Sequence, residues 1–175
     1  MPADLLMTDS RLYSVEMNEH LKSVISRLYR PPSAGRQVFA LSRADAQRVP
    51  ALPSVAMISI TAAEKGPAQL EGFEHLLRLS FADVDFKSNE LSPRARERLS
   101  AAFTPSQARE IVEFVGALPP EVQTVVVHCE GGFSRSCAVA QFLHDRLGYL
   151  AEPERLTEAN RSVYETLIAT GYSSP

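Results

Sequence analysis

A cysteine and an arginine six positions apart, with a histidine just before the cysteine, are the side chains of this sequence best suited to chemistry. They stand in VVVHCEGGFSRSCAVAQFL, residues 125–143. A cysteine thiolate is a strong nucleophile, and a guanidinium presents a planar fork that matches two oxygens of a tetrahedral anion. Gly131 and Gly132 let the backbone turn tightly. The N–H groups of Glu130, Gly131, Gly132, Phe133, Ser134 and Arg135 can then gather as an anion-binding nest at the start of a helix. The same field favours thiolate over thiol at Cys129. Bound anion and nucleophile side by side imply attack on the anion's central atom.

That arrangement needs a strand to carry Cys129 and a helix to follow Arg135, and the flanking sequence supplies both. Residues 122–128 (VQTVVVH) are β-branched and apolar, and SRSCAVAQFLHDRL has helical spacing, with Gly148 placed as a C-terminal cap. Upstream, QVFALS, SVAMISI and HLLRLSF read as three further strands, the second apolar on both faces and therefore buried. A short helix or turn is expected in RADAQRVP. Thr104, Pro105 and Gln107 form a capping box at the start of a helix whose buried stripe is Ala108, Ile111, Val112, Val115 and Leu118. The apolar spacing predicts a last helix from about Pro153 to Thr170, with Leu156, Ala159, Val163, Tyr164 and Leu167 as its stripe. Residues 82–103 read as a charged, irregular segment. Strands alternating with helices predict an α/β fold with a central, mainly parallel sheet of four to five strands flanked by helices.

An amphipathic helix is also predicted from Ser14 to Arg30, with Met17, Leu21, Val24, Ile25 and Leu28 on one face and the prolines of PPSAG after it. The expected organisation is a helical extension over residues 1–32 and a catalytic domain over 33–175. Three roles fit the extension: packing on its own domain, pairing with a second copy, or bordering the site.

HCEGGFSRS resembles the HCxxGxSRS signature of the cysteine-dependent protein tyrosine phosphatases, most closely their dual-specificity branch. The similarity runs from about Gln37 to the last helix, and the nine-residue loop is its specific part. It implies that Cys129 is the nucleophile and Arg135 the phosphate-binding arginine, with Gly132 as the signature glycine. It further implies that the Ser136 hydroxyl stabilises the departing thiolate and that His128, behind the loop, helps keep the cysteine ionised. The implied activity is hydrolysis of phosphate monoesters, protein phosphotyrosine first and phosphoserine or phosphothreonine beside it, with no metal or other cofactor. The implied partner is a phosphorylated protein or peptide.

The family also uses an aspartate on a movable loop after the preceding strand, because an alkoxide or phenoxide leaves poorly without a proton. RLSFADVDF offers Asp83 and Asp85 there. Asp83 follows the strand end more directly; Asp85 is the alternative. The stretch KSNELSPRARERLSAAF makes the separation from Cys129 longer than is usual in the family. Rhodanese-like domains and arsenate reductases share a Cys-x5-Arg loop, but the second glycine, Ser-Arg-Ser and the upstream aspartates favour the tyrosine phosphatases. Glu130 and Phe133 stand where lipid phosphatases carry lysines. A pseudophosphatase that binds phosphorylated partners without turnover, or a phosphatase of small-molecule or lipid phosphates, is the alternative reading. Cys137 is a redox partner for Cys129 or, more simply, a small residue packed on the sheet.

Composition agrees with one catalytic domain. Of 175 residues, 45% are hydrophobic and 22% charged, enough apolar side chains for a sizeable core. A net charge of -3 gives no electrostatic basis for binding nucleic acid or a membrane surface. The first residues, MPADLLMTDSR, lack the apolar region of a signal peptide, no apolar run spans a bilayer, and two cysteines make no disulfide framework. A reduced, cytoplasmic setting is expected. Nothing in the sequence selects an oligomeric state.

Overall fold

The computed structural model describes residues 18–171. Its centre is a four-stranded, wholly parallel sheet built from β1 (Gln37–Ser42), β2 (Val55–Thr61), β3 (His75–Ser80) and β4 (Thr124–Cys129), in the order β1-β4-β2-β3. The strand carrying Cys129 is therefore internal. It pairs with β1 on one side, Ser42 opposite Cys129, and with β2 on the other, Ser59 opposite His128. All six residues of β4 are buried, as a strand covered on both faces must be. The fold is the α/β arrangement expected, with four strands.

Alternation along the strands divides the interior in two. Val38, Ala40, Ala56, Ile58, Ile60, Val125, Val127 and Cys129 belong to a core shared with helices α4 (Pro105–Gly116), α5 (Arg135–Leu147) and α6 (Arg161–Gly171). Phe39, Leu41, Val55, Met57 and Val126 belong to a second core, which α1 (Glu19–Tyr29) and α2 (Arg43–Ala46) complete through Leu21, Val24, Leu28 and Ala46. The amphipathic stripe of α1 thus lies against the sheet. Asn18 caps α1 by accepting the Leu21 N–H at 2.7 Å. Ser14 and Met17, expected in the same helix, lie outside the described residues.

The capping box of α4 is present: Thr104 Oγ1 accepts the Gln107 N–H and Gln107 Oε1 accepts the Thr104 N–H, both at 3.1 Å. Gly148 ends α5 at φ +73, as the C-cap required. Two segments differ from expectation. The charged stretch after β3 is not wholly irregular: Ser92 caps a short helix α3 (Pro93–Glu97), and a 3-10 turn follows at Leu99–Ala101. The last helix is split. Pro153–Arg155 forms a separate 3-10 turn and α6 starts only at Arg161, because Asn160 Oδ1 takes the Val163 N–H at 3.1 Å and starts the helix there. Leu156 and Ala159 therefore precede α6. Among the described residues no helix is long and apolar enough to cross a membrane.

Candidate active site

Cys129 ends β4 with only 2% of its surface exposed. Its sulfur lies 3.1 Å from Ser136 Oγ and accepts the Gly132 N–H at 3.3 Å. When the sulfur is a thiolate it can only accept, so both contacts become donations to it. Residues 130–134 carry the chain from strand to helix. Gly132 is there of necessity: its φ is +82, and a Cβ would meet Ser42 N at 2.4 Å and the Leu41 carbonyl carbon at 2.6 Å, both backbone atoms. Gly131 is under no such constraint, since a Cβ on it would meet only the flexible ring of Phe133. The loop is fastened to the end of β1 as well, where the Arg43 N–H donates to the Glu130 carbonyl at 3.2 Å.

Arg135, the first residue of α5, is buried, with 6% exposed. Nη1 donates to the Phe81 carbonyl at 2.8 Å, while the buried Nε has no hydrogen-bond partner. A buried, unpartnered guanidinium donor costs free energy unless an acceptor arrives, and an oxyanion is such an acceptor. Phe81 directly follows β3, so this one bond ties the arginine to the root of the aspartate-bearing segment.

That segment meets the cysteine loop directly. Asp83 Oδ1 accepts from Ser134 Oγ at 2.8 Å and from Asn160 Nδ2 at 2.9 Å. Asp85 points its contact elsewhere, accepting from Ser162 Oγ on α6, and borders a groove with Lys87, Asn89 and Arg161. The long insert does not draw Asp83 away. It returns through α3 and the 3-10 turn, so that the Ala82 N–H donates to the Ala101 carbonyl at 2.7 Å. Phe81 and Phe103, at its two ends, pack with ring centroids 4.7 Å apart.

Behind the loop, His128 is fully buried. Nδ1 faces the Cys129 carbonyl at 3.3 Å, which can only accept, so Nδ1 carries the proton and Nε2 accepts from the Ser59 hydroxyl at 2.6 Å. Burial pushes the imidazole below its usual 6.5. The ring is therefore neutral and acts on the loop through the backbone rather than by its charge. Cys137 is buried in α5, with the Gly132 carbonyl at 3.4 Å and the Arg155 carbonyl at 3.3 Å as acceptors for its thiol. Burial, with the nearby Cys129 adding to it, pushes that thiol up to about 12.

Cys129, the loop, Arg135, His128, Ser136 and both aspartates are recognisable in the sequence pattern. Ser59 and Asn160, which contact His128 and Asp83, carry no such local signal.

No protein-family model and no curated protein sequence matches the chain. Among solved structures it is similar to human DUSP28, at 18% identity and a TM-score of 0.45, over 76% of this chain and 90% of that one. A single-residue variant of human DUSP28 aligns at 19% identity and a TM-score of 0.44, over 80% of this chain and 94% of that one.

Proposed function

We propose that this protein hydrolyses phosphate monoesters through a cysteinyl-phosphate intermediate. The observation that carries the reading is the pairing of a sulfur flanked by two donors with a buried arginine whose Nε lacks an acceptor. Cys129 Sγ attacks phosphorus, and the S–P bond forms as the ester P–O bond breaks. Asp83 gives its proton to the departing oxygen. Water then attacks phosphorus and returns a proton to Asp83, the S–P bond breaks, and inorganic phosphate leaves. Arg135 and the loop N–H groups stabilise the equatorial oxygens in both steps, and the Ser136 hydroxyl stabilises the thiolate as it leaves.

The substrate class we favour is protein phosphotyrosine, with phosphoserine and phosphothreonine second. Phe133 supports it, since its ring is 54% exposed on the loop and offers an apolar surface to an aryl ester. Glu130 puts a carboxylate rather than a lysine on the same loop, which disfavours polyphosphorylated lipids.

The test is a phosphopeptide panel beside p-nitrophenyl phosphate. Wild type should turn over, Cys129→Ser should not while still binding tungstate, and Arg135→Lys should lose ~10²-fold or more although charge is kept. Turnover surviving in Cys129→Ser would remove this mechanism.

A further inference from the structure

Asn160 stands where the cysteine loop, the aspartate segment and α6 meet, and it is almost fully buried, with 6% exposed. Its backbone N–H donates to the Ser134 carbonyl at 3.1 Å, and its own carbonyl accepts the Tyr164 N–H at 3.1 Å. The orientation of its side-chain amide follows from its neighbours. The Val163 N–H can only donate, so Oδ1 faces it at 3.1 Å. The Val84 carbonyl can only accept, so Nδ2 faces it at 3.2 Å, and the same nitrogen donates to Asp83 Oδ1 at 2.9 Å.

We propose that Asn160 is a positioning residue for the proton-transfer steps, a role that rests on the phosphatase reading above. Asp83 Oδ1 receives two donors, Ser134 Oγ and Asn160 Nδ2. A carboxyl group keeps its hydrogen on the oxygen that is not already accepting, so this pair makes Oδ2 the oxygen that carries the proton. A serine hydroxyl alone does not impose that choice, because it rotates. The asparagine amide cannot rotate without breaking its bonds to Val163 and Val84. Through its N–H to Ser134 the same residue also sets the distance between the acid and the loop that binds the anion.

The experiment uses the full chain, two esters and the Asn160→Asp variant. Aspartate caps a helix as well as asparagine does, so the start of α6 is kept while the donor to Asp83 is replaced by a repelling oxygen. Phenyl phosphate needs its leaving oxygen protonated; p-nitrophenyl phosphate releases a stabilised anion and needs this far less. Positioning predicts a loss in kcat/KM on phenyl phosphate about tenfold or more beyond the loss on p-nitrophenyl phosphate, within the ~10²–10⁴-fold that an acid contributes. It also predicts little further loss when Asn160→Asp is added to Asp83→Asn, because both act on one step. Equal losses on the two esters, or full additivity with Asp83→Asn, would overturn the proposal. Asn160→Ser, which also retains a cap, is read by the same ratio if Asn160→Asp does not fold. Wild type with no Cys129-dependent turnover would instead remove the phosphatase reading and this inference with it.

Discussion

The Ser59 hydroxyl lies 2.6 Å from His128 Nε2, joining the inner strand β2 to the residue that precedes the cysteine. Because the ring is buried and neutral, it makes stability depend on pH with a definite sign. Below 6.5 the unfolded chain gains a proton at this position while the folded chain does not, so stability falls as pH drops from 6.5 toward the lowered folded value. Above 6.5 both forms are neutral and no penalty remains. Urea midpoints taken from about pH 8 to about pH 5.5 should fall more in wild type than in His128→Gln. Ser59→Ala leaves Nε2 without a donor and should cost ~1–3 kcal/mol at neutral pH, read from the same curves.

The two aspartates should separate by chemistry. Asp83 touches the loop through Ser134, whereas Asp85 is held by Ser162 on α6. Asp83→Asn is expected to lose ~10²–10⁴-fold in kcat on phenyl phosphate. Asp85→Asn should stay within about threefold, as a change outside the reacting groups does. An exchanged result would transfer the acid role to Asp85.

The cysteines should separate by reactivity. Cys137, pushed up to about 12, is a thiol throughout the neutral range, and its sulfur is buried against two carbonyls. Iodoacetate at slightly acidic to neutral pH should therefore label Cys129 alone, and Cys129→Ser should take up no label in peptide mapping. Equal labelling at both positions would show that the loop environment does not distinguish them.

How much of this was readable beforehand follows the range of the signals involved. The α4 capping box and the Gly148 cap are local patterns in which a few neighbouring residues determine the geometry, and both are present. The start of α6 was hidden because Leu156 and Ala159 continue a helical spacing across a break that Asn160 enforces. Ser92-Pro93 repeats the cap-then-proline pattern of Thr104-Pro105, but α3 buries none of its residues and so has no apolar stripe to reveal it. Ser59 is a lone buried hydroxyl in a strand whose only other one is Thr61 at its end. Its partner becomes visible only once sheet order places it opposite His128. Asn160 needed the same long-range knowledge, since Asp83 is far from it in sequence and adjacent in space.

The final prediction concerns α1, which the loop chemistry does not require. Leu21 and Val24 are 0% exposed and Leu28 is 1% exposed, and they cover Phe39, Leu41, Met57 and Val126 on one face of the sheet. The helix is also fastened by polar contacts to Glu152. Burial alone would raise the Glu152 carboxyl, but hydrogen bonds from His20 at 2.8 Å and Arg27 at 2.8 Å outweigh it and hold the group below 4.5. Those bonds contribute stability above pH 4.5 that is lost as pH falls through the lowered folded value. Leu21→Ala and Leu28→Ala should each cost ~2–5 kcal/mol, the usual range for emptying a close-packed leucine site. Glu152→Gln should cost less, about 1–3 kcal/mol, and should shallow the loss of stability below pH 4.5. A chain beginning at Ser33 should unfold or aggregate, because the uncovered sheet face is a contiguous apolar patch. Any folded fraction should keep the wild-type ratio of kcat/KM between phosphotyrosine and phosphoserine peptides. A truncated chain that stays folded and halves in mass would make α1 a dimer contact. One that stays folded but changes its peptide ratio would make it a wall of the site.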